Sequence, residues 1–381
     1  MRRVPSLTAL VLALASGLGA CTPAPAATYD WDLPPGYPIP VVPADNPMSD
    51  ERVELGHYLF FDTRMSGNGT YSCGSCHQQA HAFTDTLPVS VGSTGDHTPR
   101  GAMSLVNVAY NPVQTWANPN LVSLEDQALV PMFGAHPDAV ELGLAGMEDA
   151  LAQRIAADPM YPPMFAAAFP GEASPITVAN IVRAIACFER TMISTDSPYD
   201  RYTYRGETSA MSDSALRGMA LFYAERMDCF HCHGGFNFTD NVMHGGTVIP
   251  GVQYHNTGLY NLDGRGAYPA PNRGIYEITH EARDMGAFRA PTLRMIMVTA
   301  PYFHDGSAAT IDDVLDHYAA GGRTITSGPN AGVGSESPLK SIFVHGFTLT
   351  TEERADAMAF LMSLNDPSFL TDPRFSNPFM H

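Results

Sequence analysis

Cys73-Gly74-Ser75-Cys76-His77 and Cys229-Phe230-His231-Cys232-His233 are two copies of one pattern, C-x-x-C-H, in a chain of 381 residues. The pattern has a specific chemistry. Two thiols add to the vinyl groups of a haem, and the imidazole that follows ligates its iron. Four of the six cysteines fall in these motifs. A four-cysteine zinc site or a pair of disulfides would use the same thiols. Zinc pairs, however, lie roughly 15–20 residues apart, whereas Cys76 and Cys229 sit in different halves of the chain. Neither rival needs a histidine after each pair. Two covalent haems c are the reading.

The surroundings of the motifs repeat as well. Gly56-His57-Tyr58-Leu59-Phe60-Phe61 precedes the first, and Gly218-Met219-Ala220-Leu221-Phe222-Tyr223 precedes the second. Phe83-Thr84-Asp85 follows the first and Phe238-Thr239-Asp240 the second. Each half thus reads as an entering helix, an attached haem and an F-T-D loop. The fold class expected is mainly α, with two cytochrome-c-like domains, 48–205 and 206–381, and long loops. Gly (33) and Pro (31) are plentiful enough to build such loops. Ile181, Ile185, Phe188 and Met192 form an amphipathic stripe, with Thr177 as its cap and Ser197-Pro198 as its stop. Cys187 inside that stripe reads as a buried free thiol. Val314–Tyr318 and Thr351–Leu364 read as further helices, and Gly246–Gln253 as a short strand.

Charge and the N-terminus bound the setting. With 39 acidic and 21 basic residues the net charge is −18, which argues against nucleic acid as a partner. Arg2 and Arg3 precede a short apolar run that ends in Leu18-Gly19-Ala20-Cys21. Residues 1–20 read as a signal peptide and Cys21 as a lipidated first residue. Residues 21–47, rich in Pro and Ala, read as its tether. The expected location is the periplasm, with membrane contact only through the lipid.

Beyond the haem motifs, the chain resembles the bacterial di-haem cytochrome c peroxidases and the related MauG enzymes. The resemblance runs from Leu55 to Leu364. It includes Ser104-Leu105-Val106-Asn107-Val108-Ala109-Tyr110-Asn111, Pro291-Thr292-Leu293-Arg294 and Thr299-Ala300-Pro301-Tyr302-Phe303-His304-Asp305-Gly306-Ser307. Tyr29-Asp30-Trp31-Asp32-Leu33-Pro34 and Ser123-Leu124-Glu125-Asp126-Gln127 are similar to stretches of the MbnH branch.

The resemblance assigns roles. It makes His77 the proximal ligand of a peroxidatic haem, with Gln127, Pro131 and Glu141 on the opposite side. Glu141 would move protons between the two peroxide oxygens. The stretch between Pro131 and Glu141 is longer than the family pattern, and Glu125 is the alternative carboxylate. At the position of the family's blocking histidine stands Ser93, in Val89-Ser90-Val91-Gly92-Ser93, with His97 four residues on. The resemblance gives the second haem His233 on one side and Tyr318 on the other. His317, Met295 and Met297 are the rival ligands. Trp116 falls near the family's inter-haem indole. Thr299 and Pro301 fall at its calcium site, whose Asn position is here Gly101. These roles imply an oxidoreductase that uses hydrogen peroxide, stores oxidising equivalents on two haems and oxidises an aromatic side chain of a partner protein. Detoxification of peroxide with a small c-type cytochrome as donor is the alternative. A non-enzymatic electron carrier is the second.

Overall fold

Two glycines set the helix packing. In the computed structural model, which describes residues 29–134 and 141–380, α1 (Asp50–Phe61) crosses a later helix at Gly56. A Cβ on Gly56 would stand 1.9 Å from the carbonyl oxygen of Ala184 and 3.0 Å from the Phe188 Cβ. In the second half, a Cβ on Gly218 would stand 1.9 Å from the Asp356 carbonyl oxygen and 2.9 Å from the Phe360 Cβ. The glycine of each G-x-x-L-F repeat is therefore a helix-crossing point where only hydrogen fits. Gly218→Ala is expected to force the two helices apart and to cost about 1–3 kcal/mol or more. A lowered denaturation midpoint of the haem-loaded protein checks this, and an unchanged midpoint would contradict the close crossing.

Among the helices that follow are α2 (Leu124–Phe133), α3 (Val178–Arg190), α4 (Asp213–Phe222), α5 (Ile311–Ala319) and α6 (Thr351–Ser363). Short hydroxyl residues start them. Ser49, Ser123, Thr177, Ser212, Thr310 and Thr350 each accept a backbone N–H of the first turn. Asp313 and Glu353 complete reciprocal capping boxes at α5 and α6. α3 ends at Arg190, before the expected stop, and Ser197-Pro198 instead opens a further helix, Pro198–Arg205. Pro at a first helical position is preorganised for the turn, so it starts a helix as readily as it ends one.

The strand expected at Gly246–Gln253 does not form; its glycines and Pro250 leave it irregular. Among the described residues, strand is confined to an antiparallel pair, β1 (Thr324–Ile325) and β2 (Gly332–Val333). The fold is mainly helical with long loops.

Apolar residues gather around each helix pair. Leu55, Leu59 and Phe60 of α1 pack with Ile181, Ile185 and Phe188 of α3, and Phe369 and Phe375 from near the chain's end complete this cluster. Phe222, Phe238, Leu315, Phe360 and Leu361 build the second cluster. Residues 31–381 cluster as one compact unit. The buried pair Arg294–Asp200, at 2.8 and 2.9 Å, ties the loop of the second motif to the Pro198–Arg205 helix, because Arg294 also donates to the Phe236 carbonyl.

Residues 37–47, expected within the tether, are not free. Tyr37 is buried, its ring against Tyr110, Tyr204 and Phe236, and its hydroxyl accepts from Asn107. Asn46 is buried too, donating to the carboxylate of Glu125. Cys21 and the signal segment lie outside the described residues. Among those described, no helix is long and apolar enough to cross a membrane.

Candidate haem-binding site

Each C-x-x-C-H motif contains a single helical turn, Cys73–Cys76 in the first and Phe230–His233 in the second. The histidine rings are held by the same device. His77 Nδ1 lies 2.7 Å from the Phe83 carbonyl oxygen, and His233 Nδ1 lies 3.1 Å from that of Phe238. An Nδ1–H donating there leaves Nε2 with a bare lone pair, the form a metal requires. Burial pushes both imidazoles below their ordinary pKa, opposed by these same carbonyls, and so favours the neutral ligand form. Phe83 and Phe238 sit at φ of 60° and 49°, a left-handed conformation uncommon for bulky residues. This explains the repeated F-T-D. Its phenylalanine turns a carbonyl toward the histidine of the motif.

The described cysteines form no disulfide. Burial, then Asp85, then Glu141 push the Cys76 thiol up to about 11. Among the described residues the only cluster able to hold a metal through His, Cys, Asp or Glu contains no cysteine, so a four-cysteine zinc site is not assembled. Cys187 is buried, as expected of a core thiol.

A mainly apolar cavity of about 220 Å³ opens beside the second motif, lined by Cys229, Cys232, His233, Tyr318, Trp116 and Arg289. Arg289 is the test of what fits there. It is buried, donates to the Thr115 carbonyl and to Met103 Sδ, and has no carboxylate partner among the described residues. Burial pushes its guanidinium down to about 10. Asp240 acts on it only at a distance. A buried cation without a close ion pair is costly, and a ligand that is flat, apolar and edged with carboxylates would relieve it. Haem has those properties.

Tyr318 and its rivals separate clearly. On α5, Tyr318 lines the cavity, and burial, reinforced by the Cys232 and Cys229 thiols, pushes its phenol well up. A ferric iron would act in the opposite sense and favour the phenolate. The neighbouring His317 turns elsewhere, its Nε2 donating to the Thr257 carbonyl at 3.0 Å. Burial pushes that imidazole down to about 4. Met295 is buried with Sδ accepting from the Asp366 N–H, and Met297 packs beside the second cluster. Neither Met lines the cavity.

Around the first motif the backbone gathers the distal candidates. Glu141 follows a segment outside the described residues, and its carbonyl accepts from Ser93 N–H at 2.8 Å. The next residue, Leu142, donates to the carbonyl of Pro131 at 3.0 Å. The 92–93 loop, the end of α2 and Glu141 are thus tied together, with Gln127 one turn earlier on α2. Glu125 has a different occupation. It accepts from Asn46 and Arg190, and those bonds hold its carboxyl below the ordinary range against burial. His97 is exposed, at the end of a small bridge with Val91.

Trp116 donates from its indole N–H to the Gly101 carbonyl at 2.9 Å. Gly101, Thr299 and Pro301 line the same cavity. Thr299 Oγ1 donates to the Ile296 carbonyl, so these residues offer a cation little beyond backbone oxygen. Calcium prefers six to eight oxygens with carboxylates among them, and these residues do not supply that set.

Similarity to known proteins identifies the family. A family model for di-haem cytochrome c peroxidase matches residues 50–209. The methylamine utilization protein MauG of Methylorubrum extorquens is 32% identical over 335 residues, covering 87% of this chain and 83% of its own. The cytochrome-c peroxidase IdrP1 of Denitromonas iodatirespirans is 33% identical over 390 residues, covering 97% and 96%. The crystal structure of a MauG-like protein associated with microbial copper homeostasis matches with a TM-score of 0.89 at 49% identity, over 92% of this chain and 99% of that one. The chain belongs to the di-haem cytochrome c peroxidase and MauG family, and is an oxidoreductase of that kind.

Proposed function

We propose that this enzyme uses hydrogen peroxide to oxidise a partner protein at an aromatic side chain, and that its two haems c sit in two cytochrome-c-like domains. Cys73, Cys76 and His77 would hold the first haem, and Cys229, Cys232, His233 and Tyr318 the second. When bound, the haems supply the iron that takes up peroxide and the capacity to hold two oxidising equivalents. The protein's own groups manage protons and positions. Glu141 takes the proton of the incoming peroxide and returns it to the leaving oxygen, while Gln127 and Pro131 shape the same side. Trp116 offers an indole between the two sites. Export and a lipid at Cys21 would place the enzyme in the periplasm.

The observation that carries the reading is Tyr318 in the cavity with His233, while His317 is engaged with Thr257 and both methionines lie elsewhere. An anionic oxygen ligand favours the oxidised iron, as a store of oxidising equivalents requires, whereas a thioether raises the potential. The copper-associated MauG-like neighbour supports the same branch.

The competing use is peroxide removal with a small basic cytochrome as donor. The charge of −18 and the similarity to IdrP1 favour it. The experiment is mass analysis of candidate secreted partners after peroxide treatment with the enzyme. An enzyme-dependent oxygen addition or dehydrogenation on an aromatic residue is expected. Rapid turnover with a reduced c-type cytochrome, and no partner modification, would favour the peroxidase instead.

A further inference from the structure

We propose that the turn before the second C-x-x-C-H motif is a binding site for a divalent transition-metal ion of the zinc or copper(II) class. Glu225, Asp228 and His231 would ligate it. They bring one imidazole nitrogen and two carboxylate oxygens within 4.8 Å of one another. His231 Nε2 is 3.5 Å from Asp228 Oδ1 and 3.7 Å from Glu225 Oε2. Both distances are long for N–H···O hydrogen bonds. They lie a few tenths of an ångström beyond the edge of a tetrahedron, about 3.3 Å for metal–ligand bonds near 2.0–2.1 Å.

A second observation points to the same ion. The Asp228 side chain is only 10% exposed, yet its Oδ1 is buried with no hydrogen-bond partner. Such an atom costs free energy unless something satisfies it. The other oxygen, Oδ2, is already held, since His345 Nε2 donates to it at 3.0 Å while His345 Nδ1 faces the Gly346 carbonyl. That contact aims Oδ1 at His231, the way a metal-binding carboxylate is oriented by a neighbour. The plane of His231 is fixed as well, by stacking on Phe343 at 4.1 Å and 15°. Glu225, 83% exposed, would close over the ion from solvent and leave a fourth position for water or a partner's group.

The haem motif itself does not need His231, because x positions in C-x-x-C-H carry no ligand, so the site can be removed without removing the haem. The test uses the chelator-stripped enzyme carrying both haems. Zn²⁺ binding is followed by titration calorimetry with metal analysis, and Cu²⁺ binding by paramagnetic resonance. One saturable equivalent of either ion is expected, with nitrogen coupling from one imidazole in the copper spectrum. His231→Gln and Glu225→Gln should weaken binding by roughly tenfold or more, and His345→Gln by about tenfold through the loosened carboxylate, all with haem content unchanged. Asp228→Asn should do the same where it matures. Uptake of zinc alone or copper alone identifies the ion. No saturable equivalent, or equal affinity in the enzyme and in His231→Gln, would overturn the site.

Discussion

Glu141→Gln is expected to slow the reaction with hydrogen peroxide by about 10²- to 10⁴-fold, the range over which a positioned proton-transfer group acts. The substitution keeps size and hydrogen bonding but removes the ability to take and return a proton. Haem content and the spectrum of the resting enzyme should not change, because Glu141 is held through its backbone, by Ser93, and through Leu142, by Pro131. Stopped-flow mixing with peroxide measures it. Glu125→Gln is the control. Its carboxylate is paired with Arg190, whose side chain is 4% exposed, so the variant should lose stability and retain the peroxide rate. A normal rate in Glu141→Gln with a collapsed rate in Glu125→Gln would exchange the two roles.

The second large effect concerns Tyr318. Tyr318→Phe and Tyr318→Met should both keep two thioether-attached haems, since the proposed attachment at the second haem uses Cys229 and Cys232 and not the phenol. Both should lose the state in which one equivalent of peroxide is held by the two haems together, and partner oxidation should fall with it. In Tyr318→Met the second haem should also shift to a higher potential, because a thioether favours reduced iron. Near-infrared and Mössbauer spectra after stoichiometric peroxide, with a redox titration, report all of this. Storage that survives in Tyr318→Phe would return the ligand question to His317 or a methionine.

The haem-attachment residues were legible because spacing alone names them, whereas Gln127, Pro131, Glu141, Trp116 and Tyr318 were reached only through the family resemblance. C-x-x-C-H is read without knowing any contact. Thr177 marked the start of α3, and Thr351–Leu364 matches α6 to within one residue. In contrast, α1 showed only as its Gly56–Phe61 repeat, α5 only as its Val314–Tyr318 part, and α3 stops at Arg190, short of the expected end. The repeated glycines and F-T-D loops were visible as repeats, but their reasons were not. That Gly56 and Gly218 meet a carbonyl, and that Phe83 and Phe238 aim one, depends on which helices cross. Arg289 left no signal, since a lone arginine in a loop looks exposed until the cavity around it is seen. Tyr37 was hidden differently. Pro and Ala on either side made its segment read as tether, while its ring is held by partners as distant in sequence as Phe236. The strand expected at Gly246–Gln253 failed for a local reason, since Gly246, Pro250 and Gly251 interrupt it.

Paramagnetic resonance of the enzyme as purified, both haems ferric, before and after one equivalent of hydrogen peroxide, tests the central claim most directly. One high-spin and one low-spin signal are expected at the start, with Ser93 unable to block the first iron and Tyr318 with His233 filling the second. Both signals should fall together on adding peroxide, without a reductant. Two low-spin signals that respond to peroxide only after prior reduction would contradict an open first site and a shared oxidising store.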